Sequence, residues 1–383
     1  MDDIMYLDNC ATTKPCSEAV SAIREALDKF WFNPSALYRQ SAEVGQKMKD
    51  IRKSIAKTLN VREDEIYFNS GGTEGDNQAL FGALSGSKKE IIVSTIEHSA
   101  VYQSCLRAEE MGCTVKWIKP ESDSRISVNA VTEAVTEKTH IISIMHVNNE
   151  TGAVNDIELI AKAAKKINPK VIFHSDGVQG FLKLPLDLGA SQIDIYNFSA
   201  HKIHGPKGAG GIYIKKGTPV KPIHYGGPHE NGLRAGTENV PGIMGMGAAV
   251  REFAPSIITR RNETKKIKQG FIDCIKSVPD VVINGGEDEE NYSPYVLNVS
   301  PFGVRGETLL HMLEENNILV ATGSACSSHK KGTSRVLSEM GIPDEVAQSA
   351  IRISFGFNQS YDLARFADVF KKSVMKLRQY RRH

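Results

Sequence analysis

Short apolar runs that end in polar tips recur along this chain, with helical spacing between them. Glu90-Ile91-Ile92-Val93-Ser94 leads to His98, and the run from Ile141 to Val147 leads to Asn148. Val171-Ile172-Phe173 leads to His174-Ser175-Asp176, and Ile193-Asp194-Ile195-Tyr196-Asn197-Phe198 leads to Ser199-Ala200-His201-Lys202. Strands this apolar are covered on both faces, as in a parallel sheet flanked by helices. Residues 41–59, 73–84, 100–111 and 157–167 carry the longer period of helices. The alternation predicts an α/β fold: a large domain with a mostly parallel sheet sandwiched by helices, and a smaller α+β domain. Ligands in open α/β sheets bind beyond the carboxyl ends of the strands, where these polar tips collect.

Other elements fit the same frame. Ser17 is expected to cap a first helix with Val20, Ile23, Leu27 and Phe30 on one face, ended by Asn33-Pro34-Ser35. Strands are expected at 65–68 and 115–118. After Ile212-Tyr213-Ile214 the texture changes to a glycine-rich stretch, 226–247, and a long helix from about 255 to 277 leads into the smaller region. The expected organisation is an N-terminal arm (1–14) packing with the small domain, a large domain (15–257) and a small C-terminal domain (258–383).

Composition narrows the class. The 383 residues are 40% hydrophobic and 24% charged, with a formal net charge of +2. That is a globular balance with no general pull toward nucleic acid or membrane. The basic segment from Lys371 to Arg382 reads as a solvated helix end. No apolar stretch reaches the ~20 residues of a membrane span, and the acidic start Met1-Asp2-Asp3 lacks a signal-peptide layout. The expected location is the cytoplasm. The six cysteines form no C-x-x-C pair, so no resident metal is expected.

The chemistry lies at the strand ends. Phe68-Asn69-Ser70-Gly71-Gly72-Thr73-Glu74-Gly75 is strand, glycine turn and helix start, a cradle for phosphate once its neighbours are considered. It is neither G-x-G-x-x-G nor the P-loop pattern. A lysine at a buried strand end, Lys202, can form a Schiff base, and Asp176 nearby can keep a pyridine nitrogen protonated; pyridoxal phosphate needs both. Gln179 lies one turn beyond. His98 can stack on a flat ring or shuttle protons. Asn148 can bond a cofactor or substrate oxygen, and Ser199 and His201 offer polar groups at the same edge. Arg352, in the alternating Ile351-Arg352-Ile353-Ser354, suits a carboxylate. Cys326, in Gly323-Ser324-Ala325-Cys326-Ser327-Ser328, is a candidate nucleophile, with His329, Lys330 and Lys331 favouring its thiolate.

Taken in order, these segments resemble the NifS/IscS-like cysteine desulfurases, pyridoxal-phosphate enzymes of fold type I in the class V aminotransferase family. The resemblance runs from Tyr6-Leu7-Asp8-Asn9 through Ser70-Gly71-Gly72-Thr73-Glu74, Glu97-His98, Asn148-Asn149-Glu150 and Ser199-Ala200-His201-Lys202. It continues with Arg234-Ala235-Gly236-Thr237-Glu238-Asn239, Gly323-Ser324-Ala325-Cys326 and Ile351-Arg352. It implies a homodimer that converts L-cysteine to L-alanine and passes sulfur from a Cys326 persulfide to an acceptor protein. The acceptor would be an iron–sulfur scaffold or a tRNA-thiolation enzyme.

By position, Lys202 anchors the cofactor, His98 stacks on its ring, Asp176 pairs with the ring nitrogen and Gln179 with the ring hydroxyl. Gly72, Thr73, Ser199 and His201 hold the phosphate, with Thr237 reaching in from the partner subunit. Asn33, Asn148 and Arg352 hold cofactor oxygen and substrate carboxylate, and Cys326 is also a possible transient iron–sulfur ligand. The same resemblance covers a selenocysteine lyase or another class V activity. Four departures stand out: Cys10 in place of a small Ser or Ala, Gly177 in place of Ala, Trp31-Phe32 before Asn33, and the sequence after Cys326.

Overall fold

The computed structural model describes residues 4–84, 89–288, 290–322 and 333–380. Cys326 lies outside these residues. The described strands are β1 (Met5–Tyr6), β2 (Ile66–Asn69), β3 (Glu90–Ser94), β4 (Thr114–Ile118), β5 (Thr139–Ser143), β6 (Ile172–Asp176), β7 (Ile195–Ser199), β8 (Gly210–Ile214), β9 (Val281–Ile283), β10 (Val296–Pro301), β11 (Ile318–Leu319) and β12 (Ile351–Ser354). Seven of them form the central sheet in the order β2-β8-β7-β6-β5-β3-β4. From β7 to β4 the pairs are parallel; β8 runs antiparallel between β7 and β2. This is the expected α/β architecture with a mostly parallel sheet. A three-stranded antiparallel sheet, β12-β10-β9, stands beside it.

Helices cover both faces of the central sheet, and two apolar clusters mark them. One holds Ile92, Ile142, Phe173, Tyr196 and Phe198; the other holds Ile91, Ile141, Ile172, Ile195 and Ile212. Alternate residues of the same strands feed opposite faces, as a pleated strand requires. A third cluster joins Phe271, Leu297, Ile353 and Phe366 to Met5 and Leu7 from the chain's beginning.

The first helix, Ser17–Lys29, corrects the expectation. Its N-cap is Cys16, not Ser17, and it buries Ala19 and Ala26. Val20 and Leu27 are 37% and 61% exposed. The helix packs closely on Val240–Phe253, with Ile23 against Gly245, while Val20 and Leu27 are turned to the surface. Gly245 permits the approach: a Cβ there would sit 2.7 Å from Ile23 Cγ1.

The N-terminal segment bridges the structure. β1 lies parallel to β11, and Asp8 bridges to Ser354. Five residues on, Thr13 N–H donates to the His201 carbonyl at 2.9 Å. Residues 8–13 thus run along the carboxyl ends of the central strands.

Candidate active site

A cavity of about 290 Å³ opens where the strand ends meet the N-terminal segment, near the small end of ligand pockets. Gly72, Thr73, His98, Asp176, Gln179, Ser199, His201, Lys202 and Arg352 all line it. The structure therefore gathers nine residues that the sequence placed on separate segments.

The phosphate end follows from local geometry. Helix Gly72–Ala83 starts on Gly71, whose φ is +140°. A Cβ at Gly71 would lie 3.2 Å from Ser199 Oγ, so only glycine lets the turn close on β7. The first-turn amides of that helix have no intrahelical acceptor and face an anion site with the helix dipole behind them. Thr73, Ser199 and His201 add side-chain groups. Burial, helped by Lys202, pushes the His201 imidazole down to about 4, so it is neutral at physiological pH. Its Nδ1 pairs with Thr12 Oγ1 at 3.2 Å.

The acidic end is denser than the sequence suggested. Asp176, at the end of β6, accepts from Val178 N–H at 2.9 Å. Asp76, three residues after Thr73 on the same helix, is fully buried; among the described residues its carboxylate oxygens accept no close hydrogen bond, and His174 Nε2 lies 3.6 Å from Oδ1. Atoms of Asp76, Asp176 and His98 lie within 4.8 Å of one another. Burial and then the Asp176 charge raise the Asp76 carboxyl well above its ordinary range. Burial pushes Glu97 up to about 8, against hydrogen bonds from Ser94 Oγ and Met145 N–H. His98 caps helix Ser99–Glu110, its Nδ1 accepting from Ala100 N–H at 3.2 Å. The proton therefore sits on Nε2, and burial lowers the ring's basicity.

The opposite end is cationic. Lys202 Nζ donates to the carbonyls of Cys10 and Ala11 at 2.5 and 2.8 Å. Burial lowers its amine to about 8, with Lys183 and Arg352 adding to the effect. Arg352 donates to Asp8 Oδ1 at 2.7 Å and to the Asn149 carbonyl at 3.0 Å, and among the described residues its Nε has no hydrogen-bond partner.

Asn148 is a correction. It is fully buried and is not on the cavity wall. Its Oδ1 accepts from Glu150 N–H and Thr151 N–H at 2.9 and 3.0 Å, closing its own turn, and its Nδ2 donates to the Ile96 carbonyl. Asn149 lines the cavity instead. Asn33 and Thr237 are exposed and do not line the cavity of their own chain. Asn33 Oδ1 accepts from Ser35 N–H. Asp76, Asp8 and Arg335 are lining residues that sequence reasoning missed; the signal for Asp76 was its i+3 spacing from Thr73.

Gly177, one of the departures, has a structural cause. A Cβ there would lie 2.0 Å from Tyr196 Cζ. The Tyr196 ring fills the space an alanine would use, and its hydroxyl pairs with His146 Nδ1 at 2.9 Å and donates to the Gly177 carbonyl.

The donor set fits pyridoxal phosphate: an anion cradle that a Cβ would block, a buried acid, Asp76, beside Asp176, and a lysine of depressed basicity at the far end. Residues 5–365 match the family Aminotransferase class-V, and the chain belongs to it. Among curated relatives, the cysteine desulfurase IscS of Dictyoglomus turgidum is 36% identical over 379 residues, 98% of this chain and 95% of that protein. The cysteine desulfurase IscS of Methanosarcina thermophila is 37% identical over 383 residues, 98% of this chain and 93% of that protein. A solved NifS-like protein superposes with a TM-score of 0.90 at 31% identity, covering 98% of this chain and 100% of the other. A structure of SspA in complex with cysteine superposes with a TM-score of 0.82 at 31% identity, covering 92% and 98%. No helix among the described residues is long and apolar enough to cross a membrane.

Proposed function

We propose that this protein is a pyridoxal-phosphate-dependent cysteine desulfurase that converts L-cysteine to L-alanine and carries the sulfur as a persulfide on Cys326. The observation that carries the reading is the convergence of Lys202, Asp176, His98 and Arg352 on one cavity in a chain with full-length desulfurase relatives. Bound pyridoxal phosphate supplies an electron sink for the substrate carbon next to the amino group.

The chain's own residues do the rest. Thr73, Ser199 and His201 hold the phosphate, and Asp176 keeps the ring nitrogen protonated. His98 would stack on the ring and Gln179 would donate to the ring hydroxyl. Lys202 anchors the cofactor and then moves the substrate's Cα proton, for which an amine near 8 is suited. Arg352 binds the substrate carboxylate. The Cys326 thiolate takes the substrate sulfur, so that cysteine and a thiol become alanine and a persulfide.

A homodimer completes the site. Asn33 and Thr237 are away from their own chain's cavity, and Val20, Leu27, Trp31, Leu37 and Tyr38 expose apolar surface on neighbouring stretches of sequence. Light scattering of the loaded protein tests this with an expected dimer mass. A cytosolic setting with an acceptor protein for the sulfur belongs to the same reading.

Mass spectrometry after incubation with L-cysteine tests the reaction. The expected result is a reducible gain of one sulfur on the peptide containing Cys326, with alanine released. Alanine without the adduct overturns the persulfide step; no alanine overturns the desulfurase.

A further inference from the structure

Lys183 is buried to 2% exposure, a rare place for an ammonium without an ion-pair partner. Among the described residues no carboxylate contributes to its electrostatic surroundings. Burial lowers its basicity, and the charged or titratable neighbours that follow are Cys10 and Arg352. Lys202 lies close enough for Lys183 to lower its amine as well. The ring of Tyr295 stands 5.9 Å behind the ammonium.

The ammonium makes a hydrogen bond of 2.6 Å to Gln179 Oε1. An ammonium donates only, so the atom facing it must be the amide oxygen. That fixes which end of Gln179 is which. Gln179 Nε2 then donates one hydrogen to the Cys10 carbonyl at 3.1 Å and keeps the second for the cavity that Gln179 lines. Lys202 Nζ donates to the same carbonyl at 2.5 Å. Lys183, Gln179, the Cys10 carbonyl and Lys202 thus form one continuous path. A turn holds Lys183 in place, its N–H donating to the Gly180 carbonyl at 3.0 Å.

We propose that Lys183 is a positioning residue: it locks the Gln179 amide with its N–H end toward the cofactor's ring oxygen, so that Gln179 can only donate there. The inference rests on the pyridoxal-phosphate reading and adds a residue that never touches the cofactor. Without Lys183 the amide loses its one charge-assisted bond and is held only by the Cys10 carbonyl and the Cys10 Sγ contact at 3.6 Å, and a flipped Oε1 would face an oxygen that carries negative charge.

The test is a double-mutant cycle on the dissociation constant of pyridoxal phosphate, followed by the absorbance of the cofactor as it titrates the apoprotein. Lys183→Met is expected to weaken binding about tenfold, the worth of one charge-assisted hydrogen bond. Lys183→Arg, which keeps a donor, is expected to recover most of that loss. In a Gln179→Ala background Lys183→Met is expected to cost nothing further. Equal losses in both backgrounds, or no loss in Lys183→Met alone, overturn the proposal. Should Lys183→Met fail to fold, Lys183→Gln takes its place in the same cycle. Borohydride trapping of the cofactor on the Lys202 peptide of the unaltered protein separates the two levels. Failure to trap overturns the cofactor reading, whereas trapping with an additive cycle overturns only the role of Lys183.

Discussion

The two ends of the cavity treat buried charge in opposite ways. At one end Asp76, Glu97 and Asp176 gather near His98, and burial raises the Asp76 and Glu97 carboxyls. At the other, Lys202 is held by the Cys10 carbonyl, with Lys183 and Arg352 nearby and Asp8 as the carboxylate held by Arg352. The acidic end raises two carboxyls, and the cationic end lowers the Lys202 amine, by burial first and then by the like charges beside it. A flat ligand spanning both ends would meet carboxyls at one edge and cations at the other, a setting that would polarise it.

The largest break in this contrast is at Lys202. Lys202→Ala is expected to lower alanine production from cysteine by about 10⁴-fold, measured with saturating cofactor. In the unaltered protein, covalent attachment of cofactor is expected to quicken with pH and level off near 8, where the amine has lost its proton. A rise that continues past 10 would mean an ordinary lysine. Next comes Asp176→Asn, which replaces the carboxyl that would pair with the ring nitrogen by a neutral amide. We expect a fall in turnover of about 10² to 10³-fold, together with a changed absorption spectrum of the bound cofactor.

Arg352→Lys tests the cationic end more gently. It keeps the charge and loses the planar fork, so KM for cysteine is expected to rise about tenfold with a smaller change in kcat. The smallest activity effect belongs to Glu97→Gln, whose carboxyl is already protonated near neutrality. Its signature lies in stability. The folded chain holds a proton on Glu97 up to about pH 8, while the unfolded chain releases it near the ordinary 4.5. Unfolded chains therefore bind fewer protons between these values, and stability falls as pH rises through that window. Glu97→Gln is expected to flatten the fall by a few kcal/mol (on the order of one per pKa unit) in urea titrations.

Much of this was legible in the chain. Ile92, Phe173 and Phe198 announced buried strands, and the polar tips at Asp176 and Lys202 converge as a parallel sheet requires. Arg352 falls in β12 as the alternation predicted. The failures have physical causes. Periodicity in the first helix grouped Val20, Ile23, Leu27 and Phe30, but close helix packing is set by the smallest residues, and Ala19 and Ala26 took the buried face. The pair Asn148-Asn149 could not be resolved by type, because a turn needs one side chain folded back and nothing local says which. Lys183 was invisible because its partner, Gln179, was itself read only as a ligand.

The N-terminal segment gives the molecule a fixed order of completion. Met5 to Thr13 find their partners at Ile318, Ser354 and His201. Contacts of such long sequence separation close late in folding. Cys10, whose carbonyl holds Lys202, donates its N–H to Ser354 Oγ at 2.9 Å. The restraint on Lys202 therefore forms only once β12 is in place, and cofactor capture reports that the two sheets have come together.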